Sequence, residues 1–431
     1  MCGILFYKGN EESEEILAQR LKLINHRGPD NSKYISYNNY FFGFNRLCIN
    51  GLNNESNQPF EMDDIILICN GEIYNFMELK NKYNFEYRTS SDCEIIIHLY
   101  KKFGIVKTAE LLDGVFAFVL YDIKNNELYS GRDMLGIRSL FISIDGSNVY
   151  LSSEMKAICG FGTVEQFPPG TIYDIKNNQF LEWYKHDYEI VEMPRKDIEE
   201  KINSLLTAAV EKRLLSERPV ACLLSGGLDS TLVTALAAKH YDDYKLNTYS
   251  IGMKGSVDLK YAKIAAEYLK TNHTSIELTE KEFLDAIKNT IYMIESYDTT
   301  TVRASVGNYL ISKYIKENSK DTVIFCGDVS DELFGSYRGF MKAKNKEDFK
   351  KENEKMLKNI HYFDVLRSDK TISSVGLEAR VPFADKAFVN FIMSLDPKYK
   401  MFGGEIIEKK IIRDAFKGVL PDELLYRKKE A

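Results

Sequence analysis

Val220-Ala221-Cys222-Leu223-Leu224-Ser225-Gly226-Gly227-Leu228-Asp229-Ser230 decides how the second half of this chain folds. Residues 220–224 are a short, continuously apolar run of the kind that forms a strand buried on both faces. Residues 225–230 are a glycine-containing turn, and 231–240 continue as a helix. Strand, tight turn and helix in that order open a parallel sheet with helices on both faces. The chain has no Gly-Lys pair, so the turn is not a Walker A loop. The physics is related, however. Two glycines let the backbone approach an anion closely, and the N–H groups of the helix start face it. Asp229 is placed to hold Mg²⁺ against phosphates.

Downstream, the alternation continues. Residues 246–251 and 322–326 read as buried strands, and 259–269 and 283–295 as helices between them. The lysine- and glutamate-rich stretch 342–360 reads as a solvated helix or loop. Upstream, Ile198, Ile202, Leu205, Leu206, Ala209, Val210 and Leu214 fall at helical spacing from about Asp197. Before that helix, 186–200 is polar, carries Pro194 and reads as a linker. Residues 1–185 differ in texture. Short apolar or alternating runs at 40–44, 65–69, 114–122 and 148–152 are separated by Asn, Asp and Gly turn signals. The expectation is an α+β domain of antiparallel sheets at 1–185, a linker at 186–200 and an α/β domain at 201–431.

Bulk properties fit two or three domains in 431 residues, with 44% hydrophobic residues to fill their cores. Net charge is −6 with both signs mixed and no basic block, which argues against nucleic acid as a partner. The seven cysteines include no CxxC pair, so a reducing compartment is expected. The first residues lack a basic segment and a long apolar segment, and no apolar run reaches membrane-spanning length. A cytoplasmic protein with no membrane association is the expectation.

Cys2 is followed by Gly3, and so small a residue at position 2 permits removal of Met1. A thiol and a free α-amine on one residue make a compact catalytic unit, because the amine can accept the thiol proton near neutrality. A cysteine at position 2 is usually inert when taken alone. Asn70-Gly71 is a common turn pair, and Ser91 ahead of an apolar helix could simply cap it. The companions change this reading. The segments MCGI (1–4), HRGPD (26–30), NGEIYN (70–75), SDCE (91–94), RDMLGIR (132–138) and SSEMKA (152–157) occur in that order. Together they resemble the class II, N-terminal-nucleophile glutamine amidotransferases. The resemblance implies an Ntn-hydrolase-like αββα sandwich in which Cys2 attacks the side-chain amide of glutamine. It implies an oxyanion hole from the Asn70 side chain and the Gly71 N–H. Arg46 would hold the glutamine carboxylate, and Asp92 with Glu72 the ammonium.

The turn SGGLDS resembles the loop of ATP pyrophosphatases, which split ATP between its α- and β-phosphates. Ser250-Ile251-Gly252, Asp258-Leu259-Lys260, the segment 297–305, Gly327-Asp328-Val329-Ser330-Asp331-Glu332, the segment 376–383 and Glu408-Lys409-Lys410 extend the likeness. In this order they resemble the asparagine synthetases. The resemblance implies ATP contacts at Leu224, Ser225, Gly226, Gly227, Asp229, Ser230, Ile251, Gly252, Gly327 and Lys409, with Ile251 and Gly252 lining the adenine pocket. It places Thr301 and Arg303 on the aspartate side, Mg²⁺ on Asp229 and Asp331, and Asp328 at the ammonia-attack step. The implied partners are glutamine, aspartate and ATP; the sequence leaves the oligomeric state open, a homodimer being one option. The implied reaction runs through β-aspartyl-AMP to asparagine, glutamate, AMP and pyrophosphate.

Two departures stand out. The family's usual Ser-Gly-Glu-Gly-Ser-Asp-Glu reads Cys326-Gly327-Asp328-Val329-Ser330-Asp331-Glu332 here. Asp328 is one methylene shorter than the family's glutamate, and a ~1 Å misplacement can cost about 100-fold in rate. Val329 is β-branched and resists positive φ, so the loop is expected to run differently and re-aim Asp328. The family also continues well beyond the segment that 426–431 resembles. These departures keep open a relative that amidates or cyclises another carboxylate, and a catalytically silent regulatory homologue. Cys2 argues against the β-lactam-forming branch, and SGGLDS excludes sugar and nucleotide amidotransferases that share only the first half.

Overall fold

Residues 1–427 are described by a computed structural model of the chain. They form two compact units. The first contains residues 1–185 together with 291–298 and 365–378; the second contains 186–290, 299–364 and 379 onward.

The first unit holds two antiparallel sheets. Its strands are β1 (Gly3–Lys8), β2 (Asn31–Tyr37), β3 (Tyr40–Arg46), β4 (Phe60–Met62), β5 (Ile65–Ile73) and β6 (Gly114–Asp122). They continue with β7 (Glu127–Arg132), β8 (Phe141–Asp145), β9 (Asn148–Ser152), β10 (Val164–Gln166), β11 (Thr171–Asp174) and β12 (Gln179–Glu182). One sheet runs β10-β8-β9-β1-β3-β2 and the other β12-β11-β7-β6-β5-β4. Alternation along the strands explains how they stack. Ile4 and Phe6 of β1 and Phe42 and Phe44 of β3 meet Ile66 and Ile68 of β5 and Ala117 and Val119 of β6 in one buried core. The intervening residues Leu5, Tyr7 and Phe41 face outward, against Leu17 and Leu21 of the helix Glu14–Lys22. On the second sheet, Tyr100 of the helix Ile95–Phe103 donates its hydroxyl to Asp122 at 2.9 Å and Glu127 at 2.8 Å.

Sequence reading of 1–185 could not supply the two later segments of this unit. Buried charges tie them in. Arg27 is fully buried and donates to Asp369 at 2.8 Å, Ser373 at 2.9 Å and Glu154 at 3.2 Å. Arg138, also fully buried, lies 3.6 Å from Asp369 and 3.4 Å from Glu378. Burial alone would raise the Asp369 pKa, yet the two guanidiniums hold it below the usual carboxylate range. Glu295 accepts the backbone N–H groups of Met155 at 2.8 Å and Lys156 at 2.6 Å, and also the ammonium of buried Lys370.

The second unit is built on a parallel sheet. Its strands are β13 (Val220–Leu223), β14 (Asn247–Met253), β15 (Asn272–Leu278), β16 (Val323–Phe325) and β17 (Glu378–Arg380), in the order β15-β14-β13-β16-β17. β13 pairs in parallel with β14 on one side and β16 on the other, so it is central. Val220, Ala221, Cys222 and Leu224 of its apolar run are buried, while Leu223 is half-buried. The helix after it, Leu228–Ala238, starts three residues earlier than the expected 231. Helix Arg195–Arg213 follows Pro194 and buries Ile198, Ile202, Leu206, Ala209 and Val210. It begins inside the stretch read as linker, so only 186–194 lies outside helix and strand there. Within 342–360 the helix Lys346–Lys358 is not merely solvated: Phe349, Asn353 and Leu357 are buried. Of the segment 426–431, residues 428–431 lie outside the described residues.

Candidate functional site

In the first unit, register brings the N-terminus to a built pocket. Gly3 of β1 pairs with Asn45 of β3, which sets Cys2 beside Arg46 and Leu47. The Leu47 N–H donates to Cys2 Sγ at 3.4 Å. From β5 of the facing sheet, Asn70 Oδ1 accepts the Cys2 backbone N–H at 3.0 Å. That bond fixes which way the amide points, so Nδ2 is buried without a partner among the described residues. Gly71 is required by close approach: a Cβ there would stand 2.7 Å from the Val115 carbonyl oxygen of β6.

Cys2, Arg46, Gly71, Glu72 and Asp92 line a cavity of about 30 Å³. Asp92 accepts the Ile73 N–H at 2.7 Å, and Glu72 accepts from Asn50 Nδ2 at 2.8 Å. Arg46 is occupied by the loop that follows it. It donates to Asn53 O at 3.0 Å, Asn57 Oδ1 at 2.7 Å, Asn50 O at 3.2 Å and Gly51 O. Met1 is present and buried, its ammonium donating to Leu377 O at 3.3 Å. Burial pushes the Cys2 thiol up to about 11, partly offset by that ammonium. Burial likewise pulls the ammonium down to about 6, against the pull of Glu378.

In the second unit a larger cleft, about 300 Å³, opens at the carboxyl end of β13, where ligands enter parallel sheets. The turn after the strand is tied to itself. Ser225 and Ser230 share a hydrogen bond at 2.9 Å, and Thr231 Oγ1 donates to Gly227 O at 2.6 Å. Gly226 has φ +73°, and a Cβ there would lie 2.5 Å from the Ala262 nitrogen, so no side chain fits. Three charged groups converge beside the turn. Lys409 Nζ lies 2.6 Å from Asp229 Oδ2 and 2.8 Å from Asp331 Oδ1. Burial would lower the Lys409 pKa, but the two carboxylates outweigh it and hold the ammonium charged. Ser330 Oγ completes Asp229 by donating to Oδ1 at 2.7 Å.

Residues 1–213 match the family model described as a glutamine amidotransferase domain, and residues 201–355 and 342–431 match the model described as asparagine synthase. A glutamine-hydrolysing asparagine synthetase of Asparagus officinalis is 41% identical over 461 residues, spanning all of this chain and 76% of that protein. The Rattus norvegicus enzyme of the same name is 39% identical over 476 residues, spanning all of this chain and 84% of its own length.

The chain belongs to the asparagine synthetase family.

Against the pattern of that family, the residues read from the sequence divide into two groups. The clefts collect Cys2, Arg46, Gly71, Glu72 and Asp92 in one unit, and Ser225, Gly227, Asp229, Ser230, Gly327, Asp328, Asp331 and Lys409 in the other. Asn70 does not line the first cleft, and Leu224, Gly226, Ile251, Gly252, Thr301 and Arg303 do not line the second, whose wall includes Leu223 and Asn308. Leu224 is wholly buried, its N–H donating to Tyr249 O at 2.8 Å, so it joins β13 to β14. Thr301 is buried on the helix Thr299–Asn318, while Arg303 on the same helix is exposed.

Sequence reasoning passed over Arg427 as a site residue. It donates to Gly226 O at 2.9 Å and Asp258 at 2.7 Å, with its guanidinium 4.0 Å from the centre of the Tyr261 ring. A lone arginine more than 190 residues from the turn it braces carries no local signal.

The expectation for Val329 is corrected. Val329 does adopt positive φ, at +77°, and so heads the helix Ser330–Phe334 in the left-handed conformation. Its N–H donates to Asp364 Oδ2 at 3.0 Å and its side chain is buried. Those two gains outweigh a strain of about 1–2 kcal/mol for a non-glycine residue. Asp328 lines the cleft wall.

Proposed function

We propose that this chain makes asparagine from aspartate, with ATP activating the carboxylate and glutamine supplying the nitrogen. The observation that carries this reading is the convergence of Asp229, Asp331 and Lys409 at the mouth of β13. An aspartate side-chain carboxylate is a poor electrophile. Its attack on the α-phosphorus of ATP forms an acyl phosphate bond and releases pyrophosphate. Lys409 is placed to take up the charge of the departing group, and the turn 225–230 offers backbone N–H groups to phosphate oxygens.

Two hard carboxylate oxygens suit Mg²⁺, which takes one or two protein carboxylates and completes its shell with water and nucleotide phosphate. Bound there, Mg²⁺ would neutralise charge on the leaving pyrophosphate.

In the first unit, the Cys2 sulfur attacks the glutamine amide and ammonia leaves, giving a thioester that water hydrolyses to glutamate. Asn70 Nδ2 supplies a donor for the developing oxyanion. Removal of Met1 frees the Cys2 amine as the base. Arg46, Glu72 and Asp92 read the two charged ends of glutamine. Ammonia then attacks the acyl-adenylate carbonyl, and AMP departs with asparagine formed. The substrates are small molecules, and the seven free cysteines suit a reducing cytoplasm.

The test supplies purified protein with ATP, Mg²⁺ and glutamine, with and without aspartate, and measures AMP, pyrophosphate and asparagine. Aspartate-dependent AMP matched by asparagine supports the reading. Glutamate release with no AMP from aspartate overturns it. A Cys2→Ala chain is expected to lose the glutamine-dependent reaction and keep the ammonia-dependent one.

A further inference from the structure

Lys400 is a charged side chain that no step above uses. It lies directly after the short helical turn Pro397–Tyr399 and is 3% exposed. No carboxylate pairs with it among the described residues. Its Nζ instead donates to Asn353 Oδ1 at 2.6 Å and to the Leu333 carbonyl at 3.5 Å, and lies 3.8 Å from Met393 Sδ. Asn353, itself fully buried, passes the contact on: its Nδ2 donates to the Glu332 carbonyl.

Both carbonyls belong to the helix Ser330–Phe334, which has only five residues. So short a helix makes almost no hydrogen bonds of its own, and its last carbonyls need outside donors. Lys400 and Asn353 are those donors, and a cation at a helix C-terminus also suits its dipole. The other end of the helix is held in strain, by Val329 at φ +77° with its N–H on Asp364. Between the two anchors stands Asp331, which reaches Lys409.

We propose that Lys400 is a positioning residue for the nucleotide site: with Asn353 it pins the C-terminal end of the helix Ser330–Phe334 and so fixes where Asp331 and Asp328 stand. The inference rests on the reading of Asp331 as a carboxylate that meets Mg²⁺ and nucleotide. Burial of the ammonium among neutral acceptors is costly, and pulls it down to about 7. A methionine would fill the same apolar space without that cost. What methionine lacks is the donor to Leu333 and Asn353.

Two variants test this. Lys400→Met removes the donor at nearly constant volume. Asn353→Asp gives Lys400 a better acceptor but replaces the donor to Glu332 O with a carboxylate. Residues that orient a metal's ligands are typically worth about 10–100-fold. Each variant is therefore expected to raise KM for MgATP in ammonia-dependent AMP formation by about tenfold or more, and to weaken MgATP binding by calorimetry in parallel. Glutamine hydrolysis should be unchanged, and Asn353→Asp should melt no lower than the unaltered chain.

A purely structural role predicts unchanged MgATP affinity for Asn353→Asp, which would overturn the proposal. If Lys400→Met does not melt cooperatively, Asn353→Asp decides alone. If the unaltered chain forms no AMP from aspartate but binds MgATP, the functional reading falls and the calorimetry still decides the role of Lys400. If it binds no MgATP, both fall.

Discussion

Asn70 Oδ1 accepts the backbone N–H of Cys2 at 3.0 Å, and in doing so orients its own amide nitrogen as an unused buried donor. An unpaired buried amide costs about 1–3 kcal/mol, so it stands ready for an acceptor that appears only during reaction. The relationship joins β1 of one sheet to β5 of the other, and neither strand builds it alone.

Replacing Asn70 with alanine removes that donor. Glutamine hydrolysis is expected to fall about 10²–10³-fold in kcat, the usual loss for one oxyanion donor. Ammonia-dependent asparagine formation should be retained. Unchanged glutamate release from the Asn70→Ala chain would remove Asn70 from the reaction.

Lys409→Met takes the shared cation from between Asp229 and Asp331. AMP formation is expected to drop by at least about 100-fold. The two carboxylates then repel each other until another cation arrives. Added Mg²⁺ without nucleotide should raise the melting temperature of this variant more than that of the unaltered chain, read by a thermal shift titration. Equal shifts would contradict the pairing.

Val329 allows an inversion of the ordinary order of substitutions. Glycine is normally about 0.5–1 kcal/mol worse than alanine in a helix or strand. At φ +77° alanine keeps the strain and glycine removes it, while both lose the buried valine side chain. Val329→Gly should therefore melt above Val329→Ala, with both below the unaltered chain. The opposite order in calorimetry would mean that the loop does not hold this conformation in solution.

His273 supplies a pH dependence. It sits on β15, hydrogen-bonded to Ser250 at 3.0 Å, Ser275 at 3.1 Å and Thr248 at 3.0 Å. Burial first, and the nearby Lys263 second, pull its pKa down to about 4 from 6.5. The folded state thus prefers the neutral ring. Its contribution to stability is full above pH 6.5 and is lost as pH falls toward 4. His273→Gln should flatten the fall in melting temperature between pH 7 and pH 4; an identical slope would rule out the ring as a source.

Much of this was legible in the sequence because it is local. The apolar run before Ser225 and the glycines after it announce a buried strand and a tight turn within a dozen residues. Alternation in β1, β3, β5 and β6 encodes which face of each sheet is buried. Asp229 and Asp331 are each flanked by such local signals. What escaped depends on distant partners. Arg427 and Lys400 act through backbone carbonyls far away in sequence, and Arg46 is engaged by its own loop in the absence of substrate. Val329 escaped for another reason: propensity speaks against positive φ, and only burial and Asp364 overrule it.

The two buried guanidiniums of the first unit have a consequence for synthesis of the chain. Arg27 and Arg138 find their counter-charges on Asp369 and Glu378. A fragment ending at residue 185 would leave Arg27 with Glu154 alone and would strand Arg138, at about 3–5 kcal/mol for each broken pair, comparable to the whole stability of a small domain. The first unit therefore completes these charge pairs only once almost two hundred further residues have been made. Asp229 and Asp331 are thus already in the chain when those pairs close.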